Sequence, residues 1–129
     1  MADADTSPAI ATVADLLRAY AEGQRSFVNL NLPSADLTNA NLKGADLSYA
    51  DLSEATLRGT NLRGADLSYA NLRGADLTTA DLRGAMLIGT DLRQAKLVDT
   101  QLHDADYDPE ETHFPPGFDP SAAEMRSDR

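Results

Sequence analysis

Ala35-Asp36-Leu37-Thr38-Asn39-Ala40-Asn41-Leu42-Lys43-Gly44-Ala45-Asp46-Leu47-Ser48-Tyr49 is one five-residue unit written three times. Leucine stands at its centre, and leucine recurs at every fifth position from Leu32 to Leu102, fifteen times without a gap. Phe27 and Tyr107 hold the same place at the two ends. Two residues before the centre stands Ala, replaced by Thr at Thr60, Thr90 and Thr100, and between them stands Asp or Asn in most units. A period of five excludes an amphipathic helix, because five steps of about 100° carry the side chain round by about 140° and the leucines would spiral about the axis.

Within one unit, Ala and Leu lie two apart with a polar residue between them, the inside, outside, inside alternation of a short strand. Five is odd, so the last two positions must turn the chain before the next Ala and Leu can point inward. Gly44, Gly59, Gly64, Gly74, Gly84 and Gly89 all fall at the fifth place, where a turn needs them. A strand that turns every five residues winds a coil, and coils stacked at about 4.8 Å satisfy one another's backbone hydrogen bonds around a narrow apolar interior. The pattern therefore predicts an all-β solenoid.

Repeated A-[D/N]-L-x-x resembles the pentapeptide repeat family, and the likeness runs from Arg25 to Tyr107, seventeen units. It implies a right-handed quadrilateral parallel β-helix with four units per coil, hence about four coils. The stretch Asn41 to Ala50 recurs at Asn61 to Ala70 with only Lys43 exchanged for Arg63, as a 20-residue coil requires. The flanks also resemble cyanobacterial members: Leu16-Leu17-Arg18-Ala19-Tyr20 through Gly23 at the entry, and Tyr107-Asp108, Thr112, Phe114-Pro115 and Gly117-Phe118-Asp119-Pro120 at the exit.

Three segments follow. Residues 1–24 read as a tail and a short capping α-helix: Ser7-Pro8 supplies a start signal, Val13, Leu16, Leu17 and Tyr20 recur at helical spacing, and Gly23 ends the run. Residues 25–107 are the β-helix. Residues 108–129 are a C-terminal cap and a loose tail, since four prolines forbid regular pairing while Phe114 and Phe118 fold back under the last leucines. Both ends are thus expected to be capped.

Composition bounds the function. The 129 residues hold no Cys and carry a formal charge of −10, divided as −3, −3 and −4 among the three segments. The first residues are acidic and the apolar run near residues 9–14 is cut by Asp15, so neither a leader nor a membrane span is expected, and a cytoplasmic protein is the default. The family resemblance implies two roles: a rigid protein-interaction or scaffolding module, or a rod that imitates duplex DNA and modulates a type II topoisomerase such as gyrase. DNA imitation needs a continuous acidic track. Lys43, Arg58, Arg63, Arg73, Arg83 and Arg93, each directly after a leucine, interrupt one.

With 20 residues per coil, Lys43, Arg63 and Arg83 form one basic column and Arg73 and Arg93 another on the opposite face, while Tyr49 and Tyr69 stack on a corner. These seven are the candidate interaction residues. Their partner is read as an unidentified protein rather than nucleic acid or membrane, with the chain monomeric or weakly self-associating. Catalytic chemistry is not indicated. Asp46 with Asp66 could form a carboxylate pair and His103 with Asp104 or Asp106 could bind a metal, but the sequence implies no cleft around them, and no cofactor motif or nucleophile and base arrangement occurs, so no enzyme, metal or cofactor is expected.

Overall fold

A computed structural model describes residues 9–128. The chain is a stack of five-residue units in which every bridge but the last, Asp91↔His113, joins residues twenty apart in parallel: Asp46↔Asp66, Asn41↔Asn61, Asp51↔Asn71 and Asp76↔Lys96 are four of the series. Twenty residues are four units, so the turn of the solenoid has four sides. Three bonds tie each unit to its neighbours. At Leu47 they are Leu47 N–H to Asp66 C=O at 2.7 Å, Tyr49 N–H to Ser68 C=O at 2.9 Å and Asp66 N–H to Ala45 C=O at 2.9 Å. Because the units inside the stack repeat this set with few exceptions, the backbone polar groups beside the core are satisfied there without long strands.

Inside the coil the leucines from Leu32 to Leu92 are buried, and Ala45, Ala65 and Ala85 are fully so. The threonines that replace Ala need a partner for their hydroxyl, since an unpaired buried polar group costs about 1–3 kcal/mol. Thr60 Oγ1 donates to Leu37 C=O at 2.7 Å, Thr90 to Leu67 at 2.8 Å and Thr100 to Leu77 at 2.8 Å. Thr is accepted there because the coil one turn earlier presents a carbonyl within reach of its hydroxyl.

Except at Thr100, each corner is closed by a backbone bond from the next unit's first residue to the carbonyl at the centre of the unit, as in Ala45 N–H to Leu42 C=O at 3.0 Å. The fifth residue of every unit from Asn29 to Asp104 has φ between +54° and +73°. Gly89 (φ +70°) shows a second demand, because the ring of Tyr69 lies in the space its Cβ would fill, whereas a Cβ on Gly84 (φ +69°) would meet nothing. Gly84→Ala is expected to cost about 1 kcal/mol for the left-handed backbone alone. Gly89→Ala is expected to cost about 1 kcal/mol beyond that, and adding Tyr69→Ala should remove the excess; equal thermal midpoints for the two single variants would contradict this.

Before the coils, α1 (Val13–Ala21) buries Leu16 and Ala19 in the same apolar cluster as Phe27 and Leu30. Its N-cap is Thr12, whose Oγ1 accepts Asp15 N–H at 3.1 Å. The start signal expected at Ser7-Pro8 lies outside the described residues, and the helix begins later than that signal implied. Gly23, at φ +100°, ends it: Gly23 N–H donates to Tyr20 C=O and Gln24 N–H to Ala19 C=O, both at 3.0 Å. Leu17, expected on the apolar face, is 37% exposed. Tyr20 reaches the first coil, donating to Lys43 C=O at 2.6 Å, and Arg25 lies 3.7 Å over its ring.

The C-terminal segment departs from expectation. The period breaks after Tyr107 and returns two residues out of frame at Thr112-His113-Phe114: His113 bridges Asp91, and Thr112 Oγ1 donates to Leu87 C=O at 2.7 Å, as the interior threonines do. Phe114 packs edge-on against Tyr107 at 5.6 Å and stacks on Phe118 at 4.9 Å, and both phenylalanines lie against the core. Residues 121–128 are not a loose tail. Strand β1 (Asp106–Tyr107) pairs in parallel with β2 (Arg126–Ser127), which continues the twenty-residue register because Asp106 N–H and Arg126 N–H make equivalent bonds one turn apart. The expected complete C-terminal cap is also corrected: the last bridge of the Leu37, Leu57, Leu77, Leu97 side is Asp76↔Lys96, and Leu97 is only half-buried.

Candidate interaction surface

The residue before each leucine decides the surface electrostatics. Its side-chain Oδ1 accepts the N–H two residues on: Ser48 to Asp46 at 3.0 Å, Lys43 to Asn41 at 3.2 Å, Arg63 to Asn61 at 3.1 Å and Arg83 to Asp81 at 3.1 Å. Asp and Asn interchange there because either offers that oxygen. Where Ser or Thr follows the leucine, its hydroxyl adds a bond to the same atom, as Ser48 and Ser53 do at 2.6 Å. Asp46 and Asp66, paired across coils, are therefore engaged in their own turns.

The same position sorts the bases. Arg83 folds onto Asp81 with bonds of 2.9 and 2.7 Å, and Arg93 onto Asp91 with bonds of 2.9 and 2.7 Å. Both carboxyls are lowered, Asp81 by Arg83 and Asp91 by Arg93, against an opposing contribution from burial. Lys43, Arg63 and Arg73 follow Asn41, Asn61 and Asn71, which carry no charge, and none of the three forms an ion pair among the described residues. Arg73 donates to Gln94 Oε1 at 3.5 Å and acts on Asp91 through space.

The register places Lys43, Arg63, Arg83 and His103 in one column, next to Tyr20 of α1, and Arg73 with Arg93 on the opposite side. Tyr49 and Tyr69 stack at 5.3 Å with a 16° interplanar angle, and Tyr69 OH donates to Glu111 at 3.0 Å, which raises its own pKa. The seven candidates thus fall on three successive corners of the coil, with Tyr49 and Tyr69 between the column of Lys43, Arg63 and Arg83 and that of Arg73 and Arg93. His103 lies 3.3 Å from Asp104 and 3.8 Å from Glu124. Among the described residues no group of three or more His, Cys, Asp and Glu could hold a metal ion, and no helix is long and apolar enough to cross a membrane.

Asp76 is held well below the usual carboxylate range. Its carboxylate accepts Thr78 Oγ1 at 2.6 Å, Thr78 N–H at 3.0 Å and Arg58 at 3.1 Å from the preceding coil, and these hold its pKa down to about 2. A folded pKa below the unfolded 3.8 contributes stability above that value, lost as pH falls toward 2. Asp76→Asn keeps the turn acceptor but does not titrate. Its thermal midpoint should fall less than the wild type's across this window, and parallel pH profiles would contradict the assignment.

Relatives agree with the geometry. The family model described as pentapeptide repeats matches eight copies over residues 26–59, 45–84 and 75–106. The chain belongs to the pentapeptide repeat family. It is similar to alr5209, a pentapeptide repeat protein from Nostoc Pcc 7120, at 52% identity and a TM-score of 0.88, over 90% of this chain and 95% of that one. HetL of Nostoc sp. strain PCC 7120, involved in heterocyst differentiation regulation, is 36% identical over 81% of this chain and 57% of its own, with a TM-score of 0.40. Rfr23 from the cyanobacterium Cyanothece 51142 is 28% identical over 81% of this chain and 60% of its own, with a TM-score of 0.33. Among curated protein sequences none matches.

Proposed function

We propose that this pentapeptide repeat protein is a non-enzymatic, cytoplasmic interaction rod that docks an acidic protein surface through the column Lys43, Arg63 and Arg83. Its body is a right-handed quadrilateral β-helix of about four coils, closed at the N-terminal end by α1. The observation that carries the reading is the placement of Lys43 and Arg63 behind Asn41 and Asn61, which leaves two stacked cations outside any ion pair among the described residues, Arg63 acting on Asp81 only through space, on a protein of charge −10. The four units of that side hold three bases against Asp81 and Asp104, so a partner meets local positive charge on an acidic body.

Imitation of DNA fits these residues less well, because the seven aspartates that precede a leucine in the repeats serve their own turns and the bases break the acidic columns. A test separates the two. With a partner captured from the source cell on the immobilised wild-type chain, Lys43→Glu/Arg63→Glu, which changes only exposed side chains and should leave unfolding unaltered, should lower affinity by about tenfold or more, and wild-type binding should weaken with salt. Undiminished binding by the double variant, or inhibition of gyrase supercoiling by micromolar wild type, would contradict the proposal.

A further inference from the structure

The open side at the C-terminal end is built to receive a strand. In the coil before it, Ala75 C=O accepts Lys96 N–H at 2.9 Å, Leu77 N–H donates to Lys96 C=O at 2.9 Å and Thr79 N–H donates to Val98 C=O at 3.0 Å. The equivalent groups one coil later, Ala95 C=O and the N–H groups of Leu97 and Asp99, have no partner among the described residues. The corner bond is missing too. Ala40, Thr60 and Ala80 donate to Leu37, Leu57 and Leu77, yet Thr100 makes no such bond to Leu97. Val98 is 59% exposed.

The chain's own next segment does not fill this place. After Phe114 come Pro115 and Pro116, which have no N–H, and Phe118 N–H turns back to Pro115 C=O at 3.2 Å, directing its ring onto Phe114. At the same end the side before it is covered by His113, the side after it is met by Glu124 C=O, which accepts Asp104 N–H at 3.0 Å, and the opposite side is covered by β2. A buried or apolar edge with unpaired donors and acceptors is a template for another chain.

We infer that the edge formed by Ala95, Leu97 and Asp99 binds an extended segment of a partner protein with the pattern small, acidic, leucine. The columns set this chemistry. Ala35, Ala55, Ala75 and Ala95 leave room for a small residue, Leu37, Leu57, Leu77 and Leu97 ask for leucine above them, and exposed Lys96, without an ion pair among the described residues, faces the position between. A second copy of this chain is a poorer occupant, because residues 108–129 carry six acids against two bases and two such ends repel.

The test is a titration of the full, ¹⁵N-labelled chain with a synthetic peptide copying residues 74–80, GADLTTA, which fills the same column one coil earlier. Backbone amides of Leu97, Val98 and Asp99 should shift, and the fast hydrogen exchange of Leu97 and Asp99 should slow. Lys96→Glu, a surface change, should weaken this peptide about two- to fivefold and favour a peptide with Lys in place of its Asp. Unmoved amides at millimolar peptide would overturn the inference. So would amides already protected in the free monomer, or protected by formation of a dimer.

Discussion

Replacing Leu67 with Ala is expected to lower the stability of the fold by about 2 to 5 kcal/mol. Leu67 is fully buried in the middle of the stack. Its N–H donates to Met86 C=O at 2.8 Å and its C=O accepts Ala70 N–H at 3.0 Å and Thr90 Oγ1 at 2.8 Å. Those bonds hold the coils about 4.8 Å apart, so Leu47 and Leu87 cannot settle into the cavity. In a stack where each unit touches only its neighbours, a weak middle also uncouples the two halves. Leu97→Ala, at the half-buried end of its column, should cost less. Urea unfolding followed by circular dichroism measures both, and a wild-type midpoint for Leu67→Ala would contradict an inward Leu67.

Leu16→Ala is expected to cost about 2 to 4 kcal/mol, and Leu17→Ala, one residue on, within about 0.5 kcal/mol. Leu16 is wholly buried against the first coil while Leu17 is 37% exposed, so the pair isolates packing from helix propensity. Loosening α1 also bares the first coil, where an unpaired strand edge invites association. The Leu16 variant should therefore sediment as a larger species at concentrations where the wild type does not. Equal midpoints for the two variants would mean that α1 does not close the stack.

Leucine spacing and the glycines at the fifth place were enough to read the solenoid, because period and turn chemistry are local; four units per coil, and with it the twenty-residue register and the columns Lys43, Arg63, Arg83 and Tyr49, Tyr69, followed from the family resemblance. What escaped was set by contacts between coils or by a shift of frame. Thr112-His113-Phe114 repeats the interior pattern of Thr60, Thr90 and Thr100 with an aromatic centre like Phe27, but two extra residues after Tyr107 move it out of phase. Strand β2 has no apolar alternation and is held by backbone pairing with β1. The different fates of Arg63 and Arg83 lay in view as Asn61 against Asp81, yet their meaning depends on the side chain folding back along its own unit. Leu17 fits the helical stripe, and only the placement of α1 on the coil exposes it.

That Asn and Asp before the leucine decide which cations are available is the central claim, and Asn61→Asp tests it without touching a base. The new carboxylate keeps the turn acceptor and should clamp Arg63 as Asp81 clamps Arg83, at bonds near 2.9 and 2.7 Å. The measurement is affinity of the captured partner for Asn61→Asp beside Arg63→Glu. The account predicts that Asn61→Asp loses most of the affinity that Arg63→Glu loses, with unfolding unchanged. Wild-type affinity in Asn61→Asp, while Arg63→Glu is impaired, would contradict it.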